Sequence, residues 1–354
     1  MNKSNILFIV AGGSGGHILP AIQLGKVWSK NYPEYKTMFF CGNKKIDLKI
    51  VKNNNYLDKV FIFNLDKFPG KMIWKYPKFL LQLILVYIRS LHYLFKFKPK
   101  KIISTGGYIS IPICTLARFF GIDVELHELN VIPGRAVKVL LPFAKKVYVT
   151  FESTMFFLRN RMKNFSKRCF LQDYPMRFSS KDRVFNKNDL INCINKDFCC
   201  NFYMNYKTIF ILGGSQGSLF LNKIFKNWLF MNKEKYKNIQ IIHQTGSNDK
   251  TDWISFYKKN NISAIVFSYM ENIKNFYLIS DLVISRAGAG ILFELEFFKK
   301  KSLIIPLKST YTDHQINNAF EMIQRNPELF FSRNSDDIVK DFSIFEGDME
   351  RLIS

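Results

Sequence analysis

Two stretches of this chain, half a sequence apart, are built alike. Phe8-Ile9-Val10-Ala11-Gly12-Gly13-Ser14-Gly15-Gly16 is echoed by Thr208-Ile209-Phe210-Ile211-Leu212-Gly213-Gly214-Ser215-Gln216-Gly217. Each passes from a short run of bulky apolar residues, the mark of a buried strand, into glycines followed by a helical pattern. One strand-turn-helix unit constrains little. Two of them call for two α/β domains of one architecture, placing two glycine loops across a cleft where a donor and an acceptor can meet.

In the first unit, Gly12 to His17 leaves almost no side chain between backbone N–H groups and a ligand, with the positive end of a helix behind it. It is neither common glycine-loop signature. The dinucleotide pattern fails because position 18 is Ile, and no Asp or Glu ends the next strand, Met38-Phe39-Phe40-Cys41-Gly42. The P-loop fails because His17 stands where Lys and Ser or Thr are needed. His17 instead puts an imidazole on the loop rim, the side chain that ordinarily gains and loses a proton near neutral pH.

The chain has 354 residues, enough for two cores, and 47% hydrophobic residues, too many for disorder. Its formal charge of +24 points to an anionic partner. The abundance of Lys, Asn, Ile, Phe and Tyr together also fits a biased base composition. No basic block with interleaved stacking aromatics occurs, so nucleic acid is set aside. The six cysteines lack Cys-x-x-Cys or zinc spacing and read as reduced thiols. The N-terminal residues pass almost directly into the first strand without a small-residue cleavage site, which reads as an intracellular protein.

Strands are expected at 5–10, 37–41, 60–63, 101–104, 123–126 and 146–150, alternating with helices over a first domain of residues 1–175. Residues 176–206 read as a linker region, 207–330 as a second domain, and 331–354 as a C-terminal segment packing back on the first. Between Lys67 and Lys101 lie nine Lys or Arg and no acidic residue. Gln82 and Arg89 cut the apolar runs below the ~18–20 residues of a spanning helix. The reading is an interfacial segment, with Phe68, Met72, Trp74 and Phe79 at an anionic membrane surface and Leu83 and Leu91 in the core.

Further constellations stand at strand ends, where open parallel sheets bind ligands. Ser104-Thr105-Gly106-Gly107-Tyr108-Ile109-Ser110 follows one strand and His127-Glu128-Leu129-Asn130-Val131-Ile132-Pro133-Gly134 the next. These collect a phenol, an imidazole, a carboxylate and an amide on the edge carrying His17. In the second domain, strands run into Ile241-Ile242-His243-Gln244-Thr245-Gly246, Ser268-Tyr269-Met270, Ser285-Arg286-Ala287-Gly288-Ala289-Gly290 and Thr312-Asp313-His314-Gln315. The helix starting at Gly290 suits a nucleotide diphosphate. Glu294, one turn in, suits ribose hydroxyls, and Gln315 sugar hydroxyls.

Taken in order, AGGSGGHILPA, STGGYIS, HELNVIPG, ILGGSQGS, HQTG, DLVISRAGAG and DHQINNA make the sequence over residues 5–320 resemble the MurG family of bacterial glycosyltransferases. That resemblance implies the glycosyltransferase B architecture, two Rossmann-like doubly wound parallel-sheet domains facing a cleft. It implies transfer of N-acetylglucosamine from its uridine diphosphate to a muramyl pentapeptide linked to undecaprenyl diphosphate, at the cytoplasmic face of the inner membrane, by a peripherally bound enzyme.

Residue by residue, it implies Ser14, Gly15 and Gly16 as the first loop, His17 as catalytic base with Glu128 or Tyr108 nearby, and Asn130 on the acceptor side. The donor would meet Arg177, Ser215, Met270, Ala289, Gly290, Ile291, Leu292, Phe293, Glu294 and Gln315. Leu129, Tyr174 and Ala287 depart from the family pattern, where Gln, Asn and Ser are usual. No Asp-x-Asp occurs, so neither a metal nor any other cofactor is expected. Rival readings are a transferase with another nucleotide sugar or lipid acceptor, a non-catalytic sugar-nucleotide-binding membrane protein, and a nucleotide-sugar epimerase.

Overall fold

The computed structural model describes residues 4–353, apart from 14, 53, 233, 308–313 and the side chains of 45 and 46. The chain divides into two compact units, Met1–Arg177 and Phe178–Ser354. In the first, seven strands form one parallel sheet: β1 (Ile6–Ala11), β2 (Lys36–Gly42), β3 (Lys59–Phe63), β4 (Lys101–Gly106), β5 (Asp123–Glu128), β6 (Lys146–Val149) and β7 (Cys169–Leu171). Their order is β3-β2-β1-β4-β5-β6-β7. β1 pairs with β2 on one side and β4 on the other, Phe8 lying opposite Met38 and Ile102. Helices cover both faces, so successive residues Leu7 to Ala11 are all buried, which is why this strand reads as an unbroken apolar run.

The second unit repeats the plan with β8 (Lys207–Leu212), β9 (Ile239–Gln244), β10 (Ala264–Phe267), β11 (Leu282–Ser285), β12 (Ser302–Ile304) and β13 (Phe330–Ser332), ordered β10-β9-β8-β11-β12-β13. In both sheets the order reverses beside the first strand. Between β1 and β4, and between β8 and β11, the outgoing connections part to opposite sides and leave a crevice at the carboxyl edge. Both glycine stretches begin there.

Several expectations need correction. β7 is a seventh strand not foreseen. The region 176–206 contains a helix, Lys187–Phe198, which buries Ile191 and Ile194 within the second unit, so it is more than a linker. The C-terminal residues are built into the second unit. β13 completes the second sheet, and Phe345, Met349, Leu352 and Ile353 of helix Ser343–Ile353 join the core around Ile209, Ile241 and Trp228.

Helix Tyr76–Phe97 is continuous through Gln82 and Arg89, and with Ile73–Lys75 it is long and apolar enough to span a membrane by length and composition. One face is built into the first unit: Gln82, Val86, Ser90 and Leu94 are buried at four-residue spacing, and Gln82 Oε1 accepts the Asp66 N–H. The opposite face exposes Leu80, Leu81, Ile84, Leu85, Ile88, Leu91 and Phe95. Phe79, expected outside, packs partly against the core, while Leu91, expected inside, is exposed. The helical phase decides this, because 91 follows 84 and 88 on the outer face.

Candidate active site

The carboxyl edge of the first sheet is assembled backbone against backbone. Gly107 has φ +89°, and a Cβ there would lie 2.3 Å from the Gly12 carbonyl oxygen, so the loops after β1 and β4 touch only because both carry glycine. Gly13, at φ +97°, has the Tyr108 ring along its flank. Ser14 lies outside the described residues. Gly15 and Gly16 open helix Gly15–Asn31, placing His17 in its first turn, half-buried.

His17 Nδ1 lies 2.8 Å from the Thr105 carbonyl oxygen, and Thr105 Oγ1 donates to the His17 carbonyl at 2.8 Å. A carbonyl can only accept, so Nδ1 carries the hydrogen and Nε2 is the basic nitrogen of the neutral ring. The reciprocal pair fixes ring and tautomer together.

Glu128 differs from the sequence-based expectation. Its Oε1 accepts from the N–H groups of Leu129 and Asn130, both at 2.9 Å, and from Asn130 Nδ2 at 3.1 Å; Oε2 accepts from the Gly134 N–H at 2.7 Å. Burial raises its pKa, opposed by those hydrogen bonds and by the charge of His17. Holding four N–H groups, Glu128 braces loop 129–134 and orients Asn130. His127 leaves the site: alternation along β5 turns it to the other face, stacked on Tyr148 at 4.8 Å, and burial lowers its pKa to about 3. Tyr108 keeps its proton, since burial and the Asp47 charge raise its pKa.

Sequence reasoning missed two residues here. Buried Asp47 Oδ2 accepts the Gly13 N–H at 3.2 Å, and Lys44 Nζ donates to the Gly13 carbonyl at 2.7 Å, so both polar groups of the turn glycine are held from one helix and its leading residue. Only the pairing of β1 with β2 brings them there.

In the second unit the loops after β8 and β9 also meet through glycine. A Cβ on Gly217 would fall 2.3 Å from the Gly246 Cα, and Gly214, Gly217 and Gly246 all have positive φ. Beneath them, His243 Nε2 donates to Asn222 Oδ1 at 3.0 Å and Nδ1 accepts from the Tyr257 hydroxyl at 2.9 Å, while Asn222 Nδ2 donates to the Thr245 carbonyl. Burial lowers the His243 pKa to about 3, so this imidazole is neutral. Ser215 and Met270 lie half-buried on neighbouring loops.

Arg286 is buried and joins three strand-end loops: Nε donates to Ser218 Oγ at 3.0 Å and Nη1 to the Ile305 and Pro306 carbonyls. The helix that follows, Ala289–Phe297, is capped by Gly288. The N–H groups of its first three residues, Ala289, Gly290 and Ile291, have no acceptor within the helix, which makes this end a place for an anion. The Leu292 side chain is fully buried and its N–H donates to the Gly288 carbonyl. Phe293 is likewise interior. Glu294 Oε2 accepts from the Tyr277 hydroxyl at 2.8 Å. Gln315 Oε1 accepts from the Leu307 N–H at 2.9 Å, so its amide has donors to offer. Thr312 and Asp313 lie outside the described residues. Arg177, half-buried, closes the first unit. Among the described residues no group of three His, Cys, Asp or Glu is arranged to hold a metal.

Residues 7–149 match the glycosyltransferase family 28 N-terminal domain and residues 208–337 its C-terminal domain. The chain is 31% identical over 320 residues to the UDP-N-acetylglucosamine–N-acetylmuramyl-(pentapeptide) pyrophosphoryl-undecaprenol N-acetylglucosamine transferase of Pelagibacter ubique (strain HTCC1062), an alignment covering 90% of this chain and 82% of that one. The chain belongs to glycosyltransferase family 28. A like-named transferase of Thermotoga neapolitana is also 31% identical, over 88% of this chain and 82% of its own. In fold, the family 28 chain resembles MurG of Acinetobacter baumannii, with a TM-score of 0.67 at 19% identity over 100% of this chain and 91% of that one. It also resembles the UDP-GlcNAc 2-epimerase of Neisseria meningitidis, with a TM-score of 0.61 at 13% identity over 98% and 93%. The two family 28 regions contain both glycine loops, His17, Asn130 and the helix carrying Glu294.

Proposed function

We propose that this family 28 chain transfers N-acetylglucosamine from its uridine diphosphate to the muramyl 4-hydroxyl of an undecaprenyl-diphosphate-linked muramyl pentapeptide, with inversion at the anomeric carbon. Family membership and the names of its relatives support the substrates. The observation that carries the chemistry is His17, whose Nδ1–H is engaged by the Thr105 carbonyl, leaving Nε2 as base on the rim of the first glycine turn.

In this reading Nε2 takes the acceptor proton as that oxygen attacks the anomeric carbon, and the bond to the diphosphate breaks with its electron pair leaving on UDP. A single in-line displacement needs one base, not the paired carboxylates of glycoside hydrolases. The leaving charge is met by the N–H groups of Ala289, Gly290 and Ile291, donors at a helix start where charge develops, and the resemblance adds Arg177 as a further donor contact. Ser215 and Met270 line the donor, Glu294 takes ribose hydroxyls, Gln315 donates to the sugar, and Asn130 faces the acceptor. No step requires a cofactor.

A radiolabelled donor assay with the lipid-linked muramyl acceptor tests this. Label should move to lipid only when acceptor is present. Conversion of donor alone would indicate an epimerase, and donor binding without turnover a silent binding protein.

The same proposal places the protein peripherally on the cytoplasmic membrane face. Helix Tyr76–Phe97 and its approach expose Trp74, Leu81, Ile84, Leu85 and Ile88 beside Phe68 and Met72, with Lys71, Lys75 and Lys78 adjacent and no acidic residue from 67 to 101. Apolar side chains at the headgroup boundary and lysines near anionic lipid suit such a segment. Changing Leu81, Leu85 and Ile88 together to Ser should weaken binding to anionic vesicles roughly a hundredfold or more. Activity on a short-chain soluble acceptor should persist; equal loss of both would make the face structural.

A further inference from the structure

The donor-side carboxylate is held from below by a tyrosine that no sequence motif marked. Tyr277, on helix Lys274–Ile279, is completely buried, and its hydroxyl donates to Glu294 Oε2 at 2.8 Å. Its ring has little freedom. Phe298 stacks on it at 5.2 Å with planes 20° apart, and Phe210 and Phe178 meet it edge-on at 5.7 and 6.4 Å. A phenol fixed on its aromatic faces delivers its O–H to one point, and the carboxylate meeting it there is fixed in turn. Glu294 is itself buried, and this bond restricts its rotamers beside the turn of helix that carries it. A carboxylate has several lone-pair positions, so an oxygen anchored from beneath retains capacity to accept from a ligand above.

We propose that Tyr277 is a positioning residue for donor selectivity, holding Glu294 so that the site distinguishes a ribonucleotide sugar from its 2′-deoxyribonucleotide counterpart. The inference rests on the reading that Glu294 accepts from the ribose hydroxyls. A site built to pair a substrate hydroxyl rejects the analogue lacking it, because its own polar group is then left unpaired. That rejection requires the acceptor to stand in one place. A carboxylate released from Tyr277 samples other rotamers and meets the hydroxyls in only a fraction of them.

The test measures kcat and KM of the full chain for UDP-N-acetylglucosamine and for its 2′-deoxyuridine analogue, in wild type, Tyr277→Phe, Glu294→Ala and Phe298→Leu, each checked by thermal melting. Tyr277→Phe keeps every ring contact and deletes only the hydroxyl. The expected result is strong preference for the ribose donor in wild type and its near abolition in Glu294→Ala. Tyr277→Phe should raise the ribose-donor KM roughly tenfold, leave the KM of the deoxy analogue and kcat nearly unchanged, and so narrow the preference by the same factor. Phe298→Leu, which loosens the packing but keeps the O–H, should lower the melting temperature without changing the preference.

Wild-type selectivity in Tyr277→Phe alongside its loss in Glu294→Ala would overturn the role of Tyr277 and leave the ribose reading standing. Selectivity surviving in Glu294→Ala would overturn the ribose reading, and this inference with it. Equal narrowing by Phe298→Leu and Tyr277→Phe would reduce Tyr277 to packing.

Discussion

The two glycine turns begin with nearly the same letters and end in different chemistry. After β1 the helix starts at Gly15, so His17 falls in its first turn, half-buried, with Nδ1 committed to Thr105 and Nε2 left as the nitrogen proposed to act as base. After β8 the helix starts only at Leu219, and the histidine of that unit, His243, lies in the sheet beneath the loop, buried and neutral between Asn222 and Tyr257. The first imidazole is the base of the proposed reaction, whereas the second is buried scaffold beneath its loops. Burial and hydrogen-bond partners, not residue type, separate them.

Replacing the two histidines in turn is the sharpest way to break this contrast. His17→Ala should lower turnover by roughly 10²–10⁴-fold with little change in melting, the range for losing a positioned base. His243→Ala should leave turnover per folded molecule near wild type. It should cost about 2–5 kcal/mol of stability, because the Tyr257 hydroxyl and Asn222 amide lose buried partners. Denaturant titration with single-turnover transfer on both variants separates the outcomes. Near-normal turnover in folded His17→Ala would move the base elsewhere.

Glycines at the two sheet edges are not all required equally. Gly107 has φ +89° and no room for a Cβ against the Gly12 carbonyl, whereas Gly288, the cap of the anion-binding helix, has φ −70° and nothing within 4 Å of a Cβ. Gly107→Ala should cost about 2–4 kcal/mol and disorganise the His17 edge, by adding strain to displacement of a neighbouring loop. Gly288→Ala should cost less than about 1 kcal/mol, the usual scale for a cap of that kind. Melting curves of the pair test the ranking, and equal costs would contradict the close approach of the two first-unit loops.

Much of this was legible in the sequence because backbone demands leave their mark locally. Apolar runs buried on both faces announced β1 and β8, and glycines required by positive φ or by close approach announced the loops that follow them. What was misread depends on partners distant along the chain or absent from side chains. The bracing contacts of Glu128 were not legible, because three of its four partners are backbone N–H groups, which carry no sequence signature. Helix phase put Leu91 outside, where an interior place was expected. The core that β13 and the C-terminal helix join was not legible, since an apolar face does not say which core it covers. Asp47 and Tyr277 gave no signal at all: each acquires meaning only when sheet pairing or helix packing brings it to the loop or side chain that it holds.

Asp47 offers the finest test of the first turn, because it is a buried carboxylate bonded directly to the turn glycine. Its carboxylate bonds the Gly13 N–H, yet burial raises its pKa above the ordinary value, with Lys44 and the Gly13 bond only partly opposing. The raised value means that the fold favours the protonated form. Stability from this group is therefore complete below an unfolded-state pKa of about 4 and is lost as pH rises through the folded value. Asp47→Asn keeps an oxygen to accept the Gly13 N–H and removes the charge. The variant should lack that decline, so its melting temperature relative to wild type should rise as pH increases from about 4 toward neutrality. Parallel melting profiles across that window would mean that Asp47 is held without penalty by Lys44 and His17. The first turn would then be stabilised by its charges rather than in spite of them.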